Sequence, residues 1–304
     1  MAVNRAALPR LLLPALAKVR GKYDDQPKQW STIFKKKTSK MAQEQSATMR
    51  YLGTAQLKAE GASTTFDNNA GQRFIYNSKM IAVSIGYAIT REAVDDNLYK
   101  SEFEAQNLGL QKSHANTKEV FGADILNTGQ VYNANIGGDG VALFSTSHPY
   151  DGGLIANTPT VQVDLNESSL LNAMTSIPVN FVDQAGLKNN IKARRLVVPT
   201  ALEPVAIRLT KTALRPGTND NDVNAIMFTQ GGLPDGYVTN NYLTSNFAWF
   251  LLTNVEGLMY YEREGFDMTT WVDEYTQNLL VSGYERYAFS YEDPLAAYGS
   301  FPTM

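Results

Sequence analysis

Cysteine is absent from this chain, and histidine occurs only twice, at His114 and His148. Disulfides, thiolate nucleophiles and cysteine metal sites are therefore excluded, and two imidazoles cannot build a histidine-rich metal centre. The missing cysteine fits a reducing compartment. No segment approaches the roughly 18 apolar residues of a membrane span. Residues Arg10 to Ala17 imitate a secretory signal, with a basic lead and small residues at Ala15 and Ala17, but Pro9 and Pro14 break a run that is already too short. The signatures GxSxG, HExxH, strand-linked GxGxxG and GxxxxGK followed by Ser or Thr are all missing. No internal repeat is visible.

The charge is unevenly placed. The net value is -3, yet the first forty residues hold ten basic side chains against Asp24 and Asp25, a balance of +8 that leaves -11 for the remaining 264. Arg5, Arg10, Lys18, Arg20, Lys35, Lys36, Lys37 and Lys40 form a basic arm suited to phosphates or acidic neighbours, joined to a body that repels polyanions. The alternative is a tail whose lysines serve solubility alone.

The strongest local pattern runs from residue 81 to 126. Ile81, Val83, Ile85, Tyr87 and Ile89 alternate with small residues, the sign of a half-buried strand. Thr90 then predicts an N-cap, with Glu92 in the first turn of a helix from about Arg91 to Asn127, a rod of roughly 50 Å. Leu98, Leu108, Ala115, Phe121, Ile125 and Leu126 give it a broken apolar stripe. A rod of that length is a spanning element.

Five regions follow. Residues 1–40 are the basic arm, directed at something outside the subunit's own core. Residues 41–89 read as a two-stranded excursion, an outgoing limb from Met41 to Leu57 and the strand 81–89 as its return. Its tip is small, polar and glycine-rich, and Gly61, Thr65, Phe66, Asp67, Asn68, Gly71 and Arg73 are its candidate contact residues. A lone ribbon is marginal in water, so it should lie against another surface. Residues 90–156 hold the helix, a glycine-rich turn and a short strand at Val141 to Phe144. Residues 157–264 alternate α and β: a helix over Leu165 to Ile177 opened by Asn166 and Ser169, a strand at Arg195 to Pro199, a helix over Leu202 to Leu214, and strands at Ala225 to Phe228, Phe247 to Thr253 and Leu258 to Glu262. Residues 265–304 return to long strands, with Leu279, Val281, Tyr287, Phe289 and Tyr291 alternating until Pro294. The whole is an α+β chain.

Ser147 beside His148 is the one run suggesting catalysis. Adjacent residues serve nucleophile-base geometry poorly, and a turn closed by Pro149, Asp151 and Gly152 is the plainer reading. His114 reads as a packing or solvent-facing residue of the helix. Asp95-Asp96 and Asp273-Glu274 are solvated charge, and Asn219 to Asp222 lacks the glycine and terminal glutamate of a calcium loop. Neither a catalytic residue nor a metal or cofactor ligand is assigned.

Several local runs, in this order, carry a resemblance. They are Asp139-Gly140 leading to Leu143-Phe144-Ser145-Thr146-Ser147-His148-Pro149, then Gly152-Gly153 and Asn157-Thr158. Leu196-Val197-Val198-Pro199, Gly217-Thr218-Asn219, Asp222-Val223-Asn224, Tyr242-Leu243-Thr244 and Ala248-Trp249-Phe250-Leu251 follow. Over about residues 70–300 the chain resembles the major capsid proteins of tailed bacteriophages with the Hong Kong 97-type fold, and most closely the Mu-like major head subunits. It departs from them where Pro294-Leu295-Ala296-Ala297 precedes Tyr298-Gly299-Ser300.

The resemblance implies an N-terminal arm, an extended loop crossing an adjacent subunit, a spine helix, a peripheral domain (residues 90–156 and 265–304) and an axial domain (157–264). It implies a non-enzymatic subunit that forms pentamers and hexamers of an icosahedral shell around double-stranded DNA, assembled in the host cytoplasm. The implied partners are a scaffolding protein, a portal protein at one vertex and a decoration protein. From the residues alone, a small hydrolase or ligand-binding enzyme using the mixed lobe stays open. A tail or decoration subunit is the other virion reading, against which the long helix argues.

Overall fold

The computed structural model describes residues 28–95, 99–214 and 222–303. Four strands make the first sheet: β1 (Lys35–Thr38), β4 (Ile81–Ile89), β10 (Leu258–Val272) and β11 (Leu279–Tyr291), in the order β1-β10-β11-β4. β1 runs parallel to β10, and the other pairs are antiparallel. β2 (Gln43–Arg50) and β3 (Gly71–Lys79) form a separate hairpin, and β5 (His148–Tyr150) and β6 (Gly153–Ile155) a smaller one. The second sheet has the order β12-β9-β7-β8, from Ala297–Ser300, Trp249–Thr253, Ala193–Val198 and Tyr237–Thr239.

The pattern after Thr90 is helical as expected. Ala93 N–H donates to Thr90 Oγ1 at 3.4 Å, opening α1 (Arg91–Asp95). α2 (Tyr99–Asn127) follows, and Asp96 and Leu98 lie outside the described residues. α3 (Glu167–Asn180) starts with the expected capping box: Asn166 Oδ1 accepts from Ser169 N–H and Ser169 Oγ from Asn166 N–H. α4 (Glu203–Lys211) and α5 (Ala225–Phe228) complete the second lobe.

Two large apolar cores and two smaller clusters result among the described residues. One joins Trp30, Phe34, Tyr76, Leu126, Phe144, Phe250, Tyr260 and Phe289. The other packs α3 on the second sheet through Leu170, Met174, Ile177, Leu196, Trp249 and Leu251. Neighbouring strand β9 serves both, because successive side chains point to opposite faces: Phe250 and Leu252 to the first, Trp249 and Leu251 to the second.

Four expectations are corrected. Residues 81–89 are a strand, but not the hairpin's return limb. β3 takes that place, with Gln43 opposite Lys79 and Arg50 opposite Gly71, while β4 pairs with β11 from Ile81 opposite Tyr287 to Ile89 opposite Leu279. Alternation identifies a strand without naming its partner. Ala225–Phe228 is a helical turn capped by Asn224, whose Oδ1 accepts from Ile226 N–H at 3.1 Å; so short an apolar run has no decisive period. Residues 141–144 form no strand, and bury Leu143 and Phe144 in irregular chain after Gly140 at φ +84.

The fourth concerns residues 29–38. Trp30, Ile33 and Phe34 are buried in the chain's own core and β1 joins its first sheet, so an arm directed outward cannot extend to residue 40. Apolar residues at positions 30, 33 and 34 stabilise this segment more than the following lysines expose it. The boundaries drawn at 264 and 265 also cut elements: β10 runs unbroken through 258–272, and residues 297–300 close the edge of the second sheet.

Candidate assembly surfaces

The β2–β3 hairpin is held at its neck by one guanidinium. Arg50 Nε donates to Asp151 Oδ2 at 2.8 Å and Arg50 Nη1 to Asp67 Oδ2 at 3.2 Å, while Arg73 Nη1 reaches the Gln184 carbonyl at 3.3 Å. Asp67 also accepts from Asn69 N–H at 2.9 Å and Gly53 N–H at 2.8 Å, and these bonds to its charged form hold its carboxyl below the usual range. Asp67 and Arg73, expected at the contact tip, thus fasten the neck. Gly71 begins β3, and Gly61 turns at φ +78. Thr65, Asn68 and Phe66 are exposed, Phe66 at 81% and Leu57 fully.

The lysine run sits on β1 facing carboxylates of the same chain. Lys35 pairs with Glu256, Lys36 with Glu262 at 2.8 Å and Lys37 with Glu292 at 3.6 Å. Lys40 is exposed, and Arg5, Arg10, Lys18 and Arg20 lie outside the described residues. Just before β1, the Glu119 carboxylate of α2 accepts the backbone N–H groups of Gln29 and Trp30. Burial pushes that carboxyl's pKa up, against the opposing effect of the two N–H donors.

The buried face of α2 is largely polar. Asn107, Leu110, Gln111, His114, Lys118, Glu119, Ala123 and Leu126 are its buried residues, and the helix packs against β4 and β11. Fully buried Glu285 of β11 receives Lys118 Nζ at 2.5 Å and faces His114 Nδ1 at 3.1 Å. Burial raises the Glu285 pKa, and the bonds from His114 and Lys118 outweigh it, leaving the carboxyl below its ordinary value. Phe121 of the expected apolar stripe is instead exposed. The missed signal was the spacing of His114, Lys118 and Gln111, which shares one helical face.

The motif residues Asp139, His148 and Asn157 meet at a buried junction. His148 Nδ1 lies 2.6 Å from Asp139 Oδ2, and Nε2 lies 3.1 Å from the Leu143 carbonyl and 3.2 Å from Asn157 Oδ1. Asn157 Nδ2 donates to the carbonyls of Leu143 and Pro294, and Thr158 Oγ1 to that of Gly299. Ser147 Oγ meets Ser145 Oγ, so the tempting serine-histidine pair is not formed. Nearby, burial raises the Asp293 carboxyl to about 6, opposed by the Leu295 N–H it accepts and by His148, and assisted by Asp139. The junction fastens the Pro294–Ala296 turn and β12 to the loop after α2. No group of three or more His, Cys, Asp or Glu residues that could hold a metal occurs among the described residues, and no helix there is long and apolar enough to cross a membrane.

A long helix on a mixed, mainly antiparallel sheet, a projecting hairpin and a second mixed lobe together define the Hong Kong 97-type capsid fold. Residues 83–300 match the phage capsid protein family, and the chain belongs to that family. It is a major capsid subunit of an icosahedral shell, a self-assembling component of a virion. The fold is similar to the capsid of a native GTA particle (TM-score 0.59, 9% identity, 91% of each chain covered). It is similar also to Mycobacterium phage Che8 (0.55, 14%, 89% of each). The virus-like particle from Pyrococcus furiosus gives 0.52 at 9% identity, with 95% of this chain and 98% of that one covered. No curated protein matches the chain.

Proposed function

We propose that this subunit builds pentamers and hexamers through its β2–β3 hairpin, which lies across an adjacent subunit. The observation that carries this reading is the hairpin itself: two strands outside both sheets, fixed at the neck and ending in exposed Leu57 and Phe66. Tyr76 anchors the base of the ribbon in the first core, so the part that needs a second surface is its exposed far end. The first sheet with α2 serves as a peripheral domain at three-fold contacts, and the second lobe as an axial domain around the five- and six-fold axes.

The shell encloses double-stranded DNA and assembles in the host cytoplasm on a separate scaffolding protein, with a portal at one vertex and a decoration protein outside. The order of motifs supports a Mu-like head subunit within the family. The role is structural, not catalytic: the partners of His148 and Ser147 support that reading. Of the basic arm, Lys40 and the cations before residue 28 are the ones that meet phosphates or scaffold.

Negative-stain microscopy with sedimentation, on the protein alone and with a candidate scaffold, tests this. Closed shells or rings of five and six subunits are expected. A monodisperse monomer under both conditions would overturn it.

A further inference from the structure

We propose that β4 is an open sheet edge that pairs antiparallel with β4 of a second copy across a two-fold axis of the shell, joining two first sheets into one. This contact involves neither the β2–β3 hairpin nor the residues at its neck.

The first sheet ends in two edges of opposite character. At one, β1 carries Lys35, Lys36 and Lys37, and charge of this kind keeps other strands from adding to an edge. At the other, β4 runs for nine residues, from Ile81 to Ile89, with neither charge nor proline. It is also regular: its pairs with β11 follow one another without the register shifts that interrupt β10 on β11. Among the described residues no strand lies along its outer side. A long, flat, uncharged edge is a template for one more strand, which its backbone groups bind as a ladder.

The side chains leave room for that strand. Ala82, Ser84, Gly86 and Ala88 are small and exposed, while Val83 and Tyr87 pack inward. Ile85, at the middle of β4, stays 48% exposed, unusual for an isoleucine with no partner outside the subunit. The hairpin limbs are poorer partners, since β2 carries Glu44 and Arg50, β3 carries Arg73 and Lys79, and the two already pair with each other. A second β4 brings no charge and matches in length. Antiparallel pairing of identical strands centred on Ile85 has a two-fold axis at its middle, the symmetry by which an icosahedral shell relates neighbouring copies. Such a contact is closed: it uses up both edges, so two four-stranded sheets become one that cannot grow into a fibre.

Because the chain has no cysteine, one substitution tests the pairing. Assembled particles carrying Ile85→Cys, treated with a short bismaleimide, should give a covalent dimer on denaturing gels, since the two cysteines face each other with Cβ atoms about 5 Å apart. Tyr275→Cys, 95% exposed on the β10–β11 turn, should give less dimer by about five-fold or more. No dimer from Ile85→Cys in closed shells, or as much from the control, would overturn the pairing. Should Ile85→Cys not assemble, charge decides. Ile85→Lys and Ile85→Glu should each lower the yield of closed shells by about five-fold or more, because like charges then stand directly opposite, while rings of five and six subunits still form. Coexpression of the two should restore shells, since an ammonium then meets a carboxylate. A mixture that stays defective, full shell yield from either variant alone, or loss of the rings themselves would each overturn the pairing. Rings that persist without shells leave the hairpin reading intact.

Discussion

Glu119 in the C-terminal half of α2 accepts the backbone N–H of Trp30 at 2.9 Å, and that of Gln29 at 2.7 Å, across about ninety residues of sequence. The entering chain is thereby tied to the long helix before β1 begins. Trp30 then packs on Tyr260 and Phe289, with ring centroids 4.2 and 5.8 Å away.

Glu119→Ala should leave the buried Trp30 N–H and the half-buried Gln29 N–H without an acceptor, a loss of about 1–3 kcal/mol. Hydrogen exchange should rise over residues 29–34 while the second sheet keeps its protection. Uniform loss of protection in both lobes would show that the bond is not a local clamp.

Glu285 is fully buried between Lys118 and His114. Glu285→Ala should cost about 3–5 kcal/mol in urea unfolding, since it leaves the Lys118 ammonium buried without its carboxylate. Its pKa is lowered in the folded chain, so the stability it contributes is present above the unfolded value near 4.5 and is lost as pH falls through the folded one. Glu285→Ala should therefore weaken the loss of stability below pH 4.5.

Asp293 acts with the opposite sign. Its carboxyl titrates at about 6 in the folded chain against an ordinary 3.8, so between these values the folded state alone holds the proton and stability falls as pH rises. Asp293→Asn keeps an oxygen for the Leu295 N–H and removes the charge. It should flatten the stability profile across this window by up to about 3 kcal/mol, measured by denaturant unfolding from pH 4 to 8. An unchanged slope would place the titration elsewhere.

Lys35, Lys36 and Lys37 face Glu256, Glu262 and Glu292. Reversing all three lysines to glutamate should impair particle formation, although a pair as exposed as Lys35–Glu256 is worth only about 0–1 kcal/mol. Converting the three glutamates to lysine in the same chain should restore the yield. A compensated variant that stays defective would return these lysines to an external partner such as phosphate.

The sequence by itself determined features whose causes lie within one turn or one strand. The cap at Thr90, the capping box at Asn166 and Ser169, and the strand at 81–89 are short-range effects of side-chain oxygens and period, and the structure has all three, although Ile81 and Ile85 of the expected inner side stay exposed. The order of the local runs carried the resemblance to a phage capsid protein. Only the tertiary structure decided which surfaces meet. It paired 81–89 with β11, set Lys35–Lys37 against glutamates more than 200 residues away, and turned a polar helical face inward onto Glu285. The physical reason is that period and capping are read from neighbours along the chain. A strand's partner or an ion's counter-charge depends on which distant elements bury the most apolar surface together.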